Sequence, residues 1–215
     1  MEKPGRSRAL LCWRPMSNNF ENHHRRSIRL QGYDYSQPGM YFVTIGVEGR
    51  TCLFGEVVRG KMILDQIGQI VEEEWLRTPV LRPSVTLDEF IVMPNHFHAV
   101  VMIVYEGRGT ARRAPTTERF GRPVSGSLPT IVRSFKSATA KRINELRGTP
   151  SAPLWQRNYY EHVIRSEEEL QRIREYIQTN PLRWEFDREN PARRGEDEFD
   201  RWLASLSKRG TEGEK

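Results

Sequence analysis

Cysteine is almost missing from this chain of 215 residues: Cys12 and Cys52 are the only two. Neither belongs to a CxxC pair, so no disulfide framework or thiolate zinc cluster can be built, and a reducing cytoplasm is the expected setting. Long apolar runs are also missing. Ala9-Leu10-Leu11-Cys12-Trp13 is too short for a signal-peptide core and ends at Arg14-Pro15. No stretch approaches the roughly 20 apolar residues of a membrane-spanning helix, so a soluble protein with no membrane partner is expected. No glycine-rich phosphate loop of the P-loop or Rossmann pattern occurs, and no internal repeat, which sets aside the common nucleotide-binding folds and the solenoids.

Negative charge is scarce in one place. The whole chain carries +6 and has a pI near 9.5. Residues 106–147 hold ten Lys or Arg against three Glu, a local +7 that leaves the remainder near −1. A basic block in an otherwise neutral chain favours a polyanionic partner, nucleic acid first, over a merely solvated surface. Arg112, Arg113, Arg133, Lys136 and Lys141 of this block, with Arg157 beyond it, are the candidate phosphate contacts.

Apolar periodicity supplies the elements. Residues 1–24 have none and read as a basic disordered arm, with residues 25–184 as one catalytic-sized domain and residues 185–215 as a charged tail. Met40–Ile45 is a buried strand. Gly49-Arg50 and Arg59-Gly60 are turn signals around short strands at 52–58 and 61–64, which implies antiparallel pairing. Asp65 caps a helix over 66–77 whose apolar face is Ile67, Ile70, Val71 and Trp75. Val85–Met93 is a strand, and Pro94-Asn95 turns it into another. Residues 105–126 are rich in Gly, Arg, Pro and Thr and read as a mobile basic loop. Ser127 and Pro129 open a basic helix to about Asn144. Trp155–Arg165 is a short aromatic strand, and Ser166 with Glu169 makes a capping box for a third helix that Asn180-Pro181 ends. A short amphipathic segment is expected around Phe199, Trp202, Leu203 and Leu206. The order suits an α+β architecture, an antiparallel sheet with helices on one face.

The strand after Pro94-Asn95 reads His96-Phe97-His98. Residues i and i+2 of a strand share a face, so the two imidazoles stand side by side while Phe97 points into the core. That pair suits a divalent metal; water-satisfied histidines on a half-wet face are the plainer alternative. Ligand softness alone allows Zn²⁺ or Mn²⁺. Tyr176 and Asn180, four apart on the third helix, share a face and could bring a phenol and an amide oxygen to the same place. A core aromatic and a helix C-cap explain them equally well.

His96-Phe97-His98, the helix segment Tyr176-Ile177-Gln178-Thr179-Asn180-Pro181 and the intervening Trp155-Gln156-Arg157-Asn158-Tyr159-Tyr160-Glu161-His162 together resemble the single-tyrosine HUH transposases, and more narrowly the REP-associated tyrosine transposases. The similarity runs from about Arg25 to Trp184. It implies an RRM-like or ferredoxin-like HUH endonuclease fold with the histidine pair on a central strand. It further implies Mg²⁺ or Mn²⁺ held by His96, His98 and, least securely, Asn180, with Tyr176 as the nucleophile that leaves a 5′-phosphotyrosine and a free 3′-OH. The implied partner is single-stranded DNA with hairpin elements, met in the nucleoid. Such proteins occur as monomers and as homodimers, and the resemblance leaves both open.

A phenol with an unperturbed pKa near 10 needs a neighbouring cation to become a nucleophile, which fits a tyrosine beside a metal. Two rival readings have other signatures. Histidine-triad hydrolases need a further histidine at position 100, which is Val100 here. A nucleic-acid-binding protein of transposase ancestry that no longer cuts is the other, and His96, His98 and Tyr176 argue against it.

Overall fold

A computed structural model describes residues 33–104 and 124–212, with side chains through Leu206. The N-terminal arm and positions 105–123, which include Arg112 and Arg113, lie outside the described residues. Strand β1 (Gly39–Gly46) is followed by the ribbon β2 (Gly55–Val58) and β3 (Lys61–Leu64). Arg59 and Gly60 both take positive φ, 51° and 72°, the paired left-handed geometry that matches strand twist in a two-residue hairpin. This ribbon stands apart from the main sheet.

Helix α1 (Gln66–Leu76) starts where expected, the Asp65 carboxylate accepting from the Gly68 N–H at 2.8 Å. Gly68 is needed for packing, because a Cβ there would lie 2.1 Å from the Phe54 carbonyl oxygen. After the short α2 (Thr78–Leu81), β4 (Val85–Met93) and β5 (His96–Ile103) form a hairpin, with an irregularity between Leu87 and Phe90. Helix α3 (Leu128–Arg147) begins after Ser127, but the Ser127 hydroxyl makes no cap bond; Pro129 in the first turn needs no N–H acceptor. Strand β6 (Tyr160–Ile164), helix α4 (Glu167–Thr179), a 3₁₀ stretch (Asn180–Phe186) and helix α5 (Glu198–Glu212) complete the order.

The four-stranded sheet runs β4-β5-β1-β6, antiparallel throughout. It is the α+β, antiparallel architecture expected. Strand alternation gives it two apolar faces. Tyr41, Val43, Ile45, Phe97, Ala99 and Val101 meet Val71, Trp75, Ile131, Phe135 and Ile143 from α1 and α3. Trp75, Phe97 and Phe135 lie 5.0–5.1 Å apart as a buried aromatic triangle. On the other face Phe42 and Val100 meet Leu170, Ile173, Tyr176 and Ile177 of α4, then Phe199 and Leu203 of α5. The helical layer expected on one face is therefore present and a second covers the other. The reason is that Phe42 and Val100 alternate with the first core's residues and need burial of their own.

The segment read as a charged tail is folded as far as it is described. Asp187, Glu189, Asp197, Phe199 and Leu203 are all buried. Their burial needs partners from elsewhere in the chain, which composition alone does not reveal: Arg183 pairs with Asp197 at 2.5 Å, and Phe199 stacks on Tyr176. No helix among the described residues is long and apolar enough to cross a membrane.

Candidate metal centre and active site

The register of the sheet builds the site row by row. His98 pairs with Ile91 on one side and Thr44 on the other, and Thr44 pairs in turn with Tyr160. His96 pairs with Gly46. All these side chains project toward the face covered by α4 and α5, while Phe97 enters the opposite core as expected. The two imidazole Nε2 atoms stand 2.9 Å apart and both rings are buried.

The outer ring nitrogens fix the inner ones. Asn95, in the turn before β5, donates its amide N–H groups to the Arg50 carbonyl at 3.0 Å and the Glu189 carbonyl at 2.7 Å. Its oxygen must then face His96 Nδ1, 3.0 Å away, so Nδ1 is the donor and Nε2 carries an inward lone pair. His98 Nδ1 lies 2.9 Å from the Thr44 hydroxyl. If that hydroxyl donates, His98 Nε2–H bonds to His96 Nε2. If it accepts, both Nε2 lone pairs converge, an arrangement that calls for a cation between them. Burial pushes both imidazoles down, His98 furthest because His96 adds to the effect, which favours the neutral form a metal ligand needs.

A carboxylate completes the cluster. Asp187 Oδ2 is 3.7 Å from His96 Nε2, and His96, His98 and Asp187 form a group able to hold a metal. Burial resists ionisation of Asp187, but the histidines, the Asn180 amide and the Glu189 N–H prevail and hold it at about 2. A buried carboxylate set against two buried imidazoles is a costly arrangement that a divalent cation would relieve. Asn180 is fully buried, donates its amide to Asp187 Oδ2 at 3.0 Å, and leaves its own Oδ1 with no hydrogen-bond partner. Two imidazoles, a carboxylate and an orphaned amide oxygen fit a divalent ion of the Mg²⁺, Mn²⁺ or Zn²⁺ kind.

Tyr176 joins this group from the same chain. Its hydroxyl is 3.3 Å from His98 Nε2 and 3.4 Å from Asp187 Oδ2. Its ring stacks on Phe199 with centroids 3.7 Å apart. Burial, Asp187 and Asp200 push the phenol well above its ordinary value, and only Arg188 works the other way. The phenol is therefore protonated until more positive charge arrives. Helix α4 is held against the sheet by Arg174, whose Nε and Nη2 bond both oxygens of Asp88 at 2.8 and 2.6 Å.

Four of the expected site residues, His96, His98, Tyr176 and Asn180, thus converge. Asp187 was missed, because it lies in a stretch with no apolar period, and its only sequence signal is the nearby Trp184 and Phe186. The basic helix is placed elsewhere: α3 covers the opposite face of the sheet, where Arg133 and Lys141 are exposed. Lys136 is not free for phosphate. Its ammonium donates to the carbonyls of Gln156 at 2.6 Å and Arg157 at 3.2 Å, and burial pushes it down to about 8. Those bonds tie the backbone at Arg157, whose side chain is exposed, to α3, while the Gln156 N–H donates to the carbonyl of Gly46 at the end of β1.

No protein-family model matches the chain. A protein of Haemophilus influenzae, described only as uncharacterized, is 39% identical over 171 residues, spanning 77% of this chain and 92% of that one. Among solved structures, one described as a REP-associated tyrosine transposase bound to a REP hairpin is 18% identical, with 73% of this chain and 72% of that one covered at a TM-score of 0.46. A second, named as a candidate transposase of Deinococcus radiodurans, is 17% identical, with coverage of 70% and 96% at a TM-score of 0.39.

Proposed function

The chain belongs to one family with the uncharacterized Haemophilus influenzae protein, and we propose that its members are tyrosine transposases of the REP-associated kind, nicking and rejoining single-stranded DNA. The observation that carries this reading is the phenol of Tyr176 lying 3.3 Å from His98 Nε2 and 3.4 Å from Asp187 Oδ2. A phenol, two neutral imidazoles and a carboxylate on one spot are the parts of a metal-assisted phosphoryl transfer.

His96, His98 and Asp187 would hold the ion, with the orphaned Asn180 oxygen as a further ligand. When bound, Mg²⁺ or Mn²⁺ supplies positive charge that draws the phenol toward phenolate and neutralises phosphate oxygens. Asn95 and Thr44 hold the imidazoles in ligating orientation, and α4 aims the Tyr176 oxygen. That oxygen forms a bond to phosphorus as the bond from phosphorus to the 3′ oxygen breaks. The phenolic proton passes to solvent, and the leaving oxygen takes one from solvent to become a 3′-OH. The strand is left joined by its 5′-phosphate to Tyr176, and reversal of the same step rejoins it. Arg157, with Arg112, Arg113, Arg133 and Lys141, would meet the DNA backbone, hairpins included.

With Mg²⁺ or Mn²⁺, a hairpin-bearing oligonucleotide labelled at its 3′ end should transfer its label to the protein. The same oligonucleotide labelled at its 5′ end should release a shortened free strand. Label retained on the protein from the 5′ end instead would reverse the polarity, and no cleavage of either would leave the rival reading of a nucleic-acid-binding protein. One feature favours that rival: Phe199 and α5 cover Tyr176, which is 4% exposed.

A further inference from the structure

Beyond the proposed metal ligands, a cation lies on the same face of the sheet. Arg188 follows Asp187 directly, and its guanidinium carbon lies 5.3 Å over the ring of Tyr160. Tyr160 is in the row that runs through Thr44 to His98, so the guanidinium stands on the site face of the sheet. Its Nε is 3.5 Å from Glu189 Oε1 and 3.8 Å from Asp200 Oδ1, both beyond good hydrogen-bond length. No hydrogen bond engages its two terminal nitrogens among the described residues, and 31% of its side chain is open to solvent. A guanidinium whose planar fork is left unspent, on the site face of the sheet and next in the chain to Asp187, matches the paired oxygens of a phosphate.

Asp200 and Glu189 flank the guanidinium without closing on it. A purely structural counter-ion would be expected to pair closely with one of those acids, as Arg183 does with Asp197 at 2.5 Å.

We propose that Arg188 is a catalytic residue that grips the non-bridging oxygens of the scissile phosphodiester and neutralises the charge that builds on them as the Tyr176 oxygen attacks. This rests on the phosphotyrosine reading. It assigns the protein a second positive centre besides the ion, and it explains an arginine placed where buried acids alone would repel a nucleic acid.

The test compares Arg188→Ala and Arg188→Lys with the unaltered protein, reading adduct formation, Mn²⁺ affinity by electron paramagnetic resonance, and the salt dependence of oligonucleotide binding. Arg188→Ala should slow adduct formation about 10²–10³-fold at saturating oligonucleotide, with Mn²⁺ affinity within about threefold. Guanidinium ion added to Arg188→Ala should recover part of the lost rate, which no scaffolding role would allow. Arg188→Lys should fall between, because a point charge replaces a fork. An unchanged rate, or a loss that tracks Mn²⁺ affinity and ignores guanidinium, overturns the assignment. Should the unaltered protein form no adduct, the phosphotyrosine reading fails, and the salt slope decides for Arg188 alone. Loss of one phosphate contact lowers that slope by about 0.7 on single-stranded DNA, and an unchanged slope overturns the contact.

Discussion

At the scale of single residues the site depends on a few buried side chains held by specific hydrogen bonds. Asn95 is the clearest case. Its amide spans two backbone carbonyls and a histidine, 45 and 94 residues away in chain position for the carbonyls, and it alone decides which nitrogen of His96 faces inward. Asn95→Ala should weaken Mn²⁺ binding about 10–100-fold while leaving Tyr176 in place, measurable by titration of the purified protein. Retained affinity would mean the His96 tautomer is set by something else. The histidine pair was legible from its spacing of two on a strand, whereas Tyr176 and Asn180, four apart on a helix, shared a face but were singled out only by the family resemblance. Asp187 was not, since an acid in an irregular stretch carries no period, and only the folded 3₁₀ turn after Pro181 brings it to His96.

At the scale of elements, helix α4 carries the proposed nucleophile, and its place against β5 has to be held. The bond pair from Arg174 to Asp88 does this across an irregularity in β4. Arg174 sits two residues before Tyr176, so its loss is felt at the phenol first. Asp88→Asn should lower the adduct-forming rate more than oligonucleotide affinity, and an Asp88→Arg with Arg174→Asp exchange should restore part of it. The hydrogen bonds from Arg174 hold the Asp88 carboxyl below its usual range even though burial opposes them. A group so depressed stabilises the fold above its unfolded pKa of about 3.9 and loses that share as the pH falls further. Acid titration of Asp88→Asn should therefore show a shallower decline below that point than the parent; an identical decline would show that the pair adds nothing. Helix α5 was only faintly legible, from four apolar residues in charged surroundings. Its role became visible once Phe199 was seen flat against Tyr176. Phe199→Ala should cost about 3–5 kcal/mol by denaturant melts, and a loss under about 1 kcal/mol would mean α5 is loosely held.

At the scale of the whole molecule, the sheet separates two tasks. One face, under α1 and α3, is the larger core; the other, under α4 and α5, holds the proposed site. The antiparallel order was readable because turn residues and alternation recur at short intervals, but the second helical layer was not, since which face a helix covers is a tertiary choice. The same choice removed Lys136 from the candidate DNA contacts and put Arg133 and Lys141 on the far side from the histidine pair. The proposal stands or falls on whether Tyr176 becomes covalently attached to DNA. The direct measurement is peptide mapping by mass spectrometry after incubation with a single-stranded hairpin oligonucleotide and Mn²⁺, run beside Tyr176→Phe and an EDTA control. Tyr176→Phe gives up only two long hydrogen bonds and should stay folded, at a cost of about 1 kcal/mol. The expected result is a nucleotide adduct on the peptide containing Tyr176, absent from the Phe variant and from the EDTA sample. An adduct that persists in Tyr176→Phe, or maps to Tyr159 or Tyr160, would contradict the account.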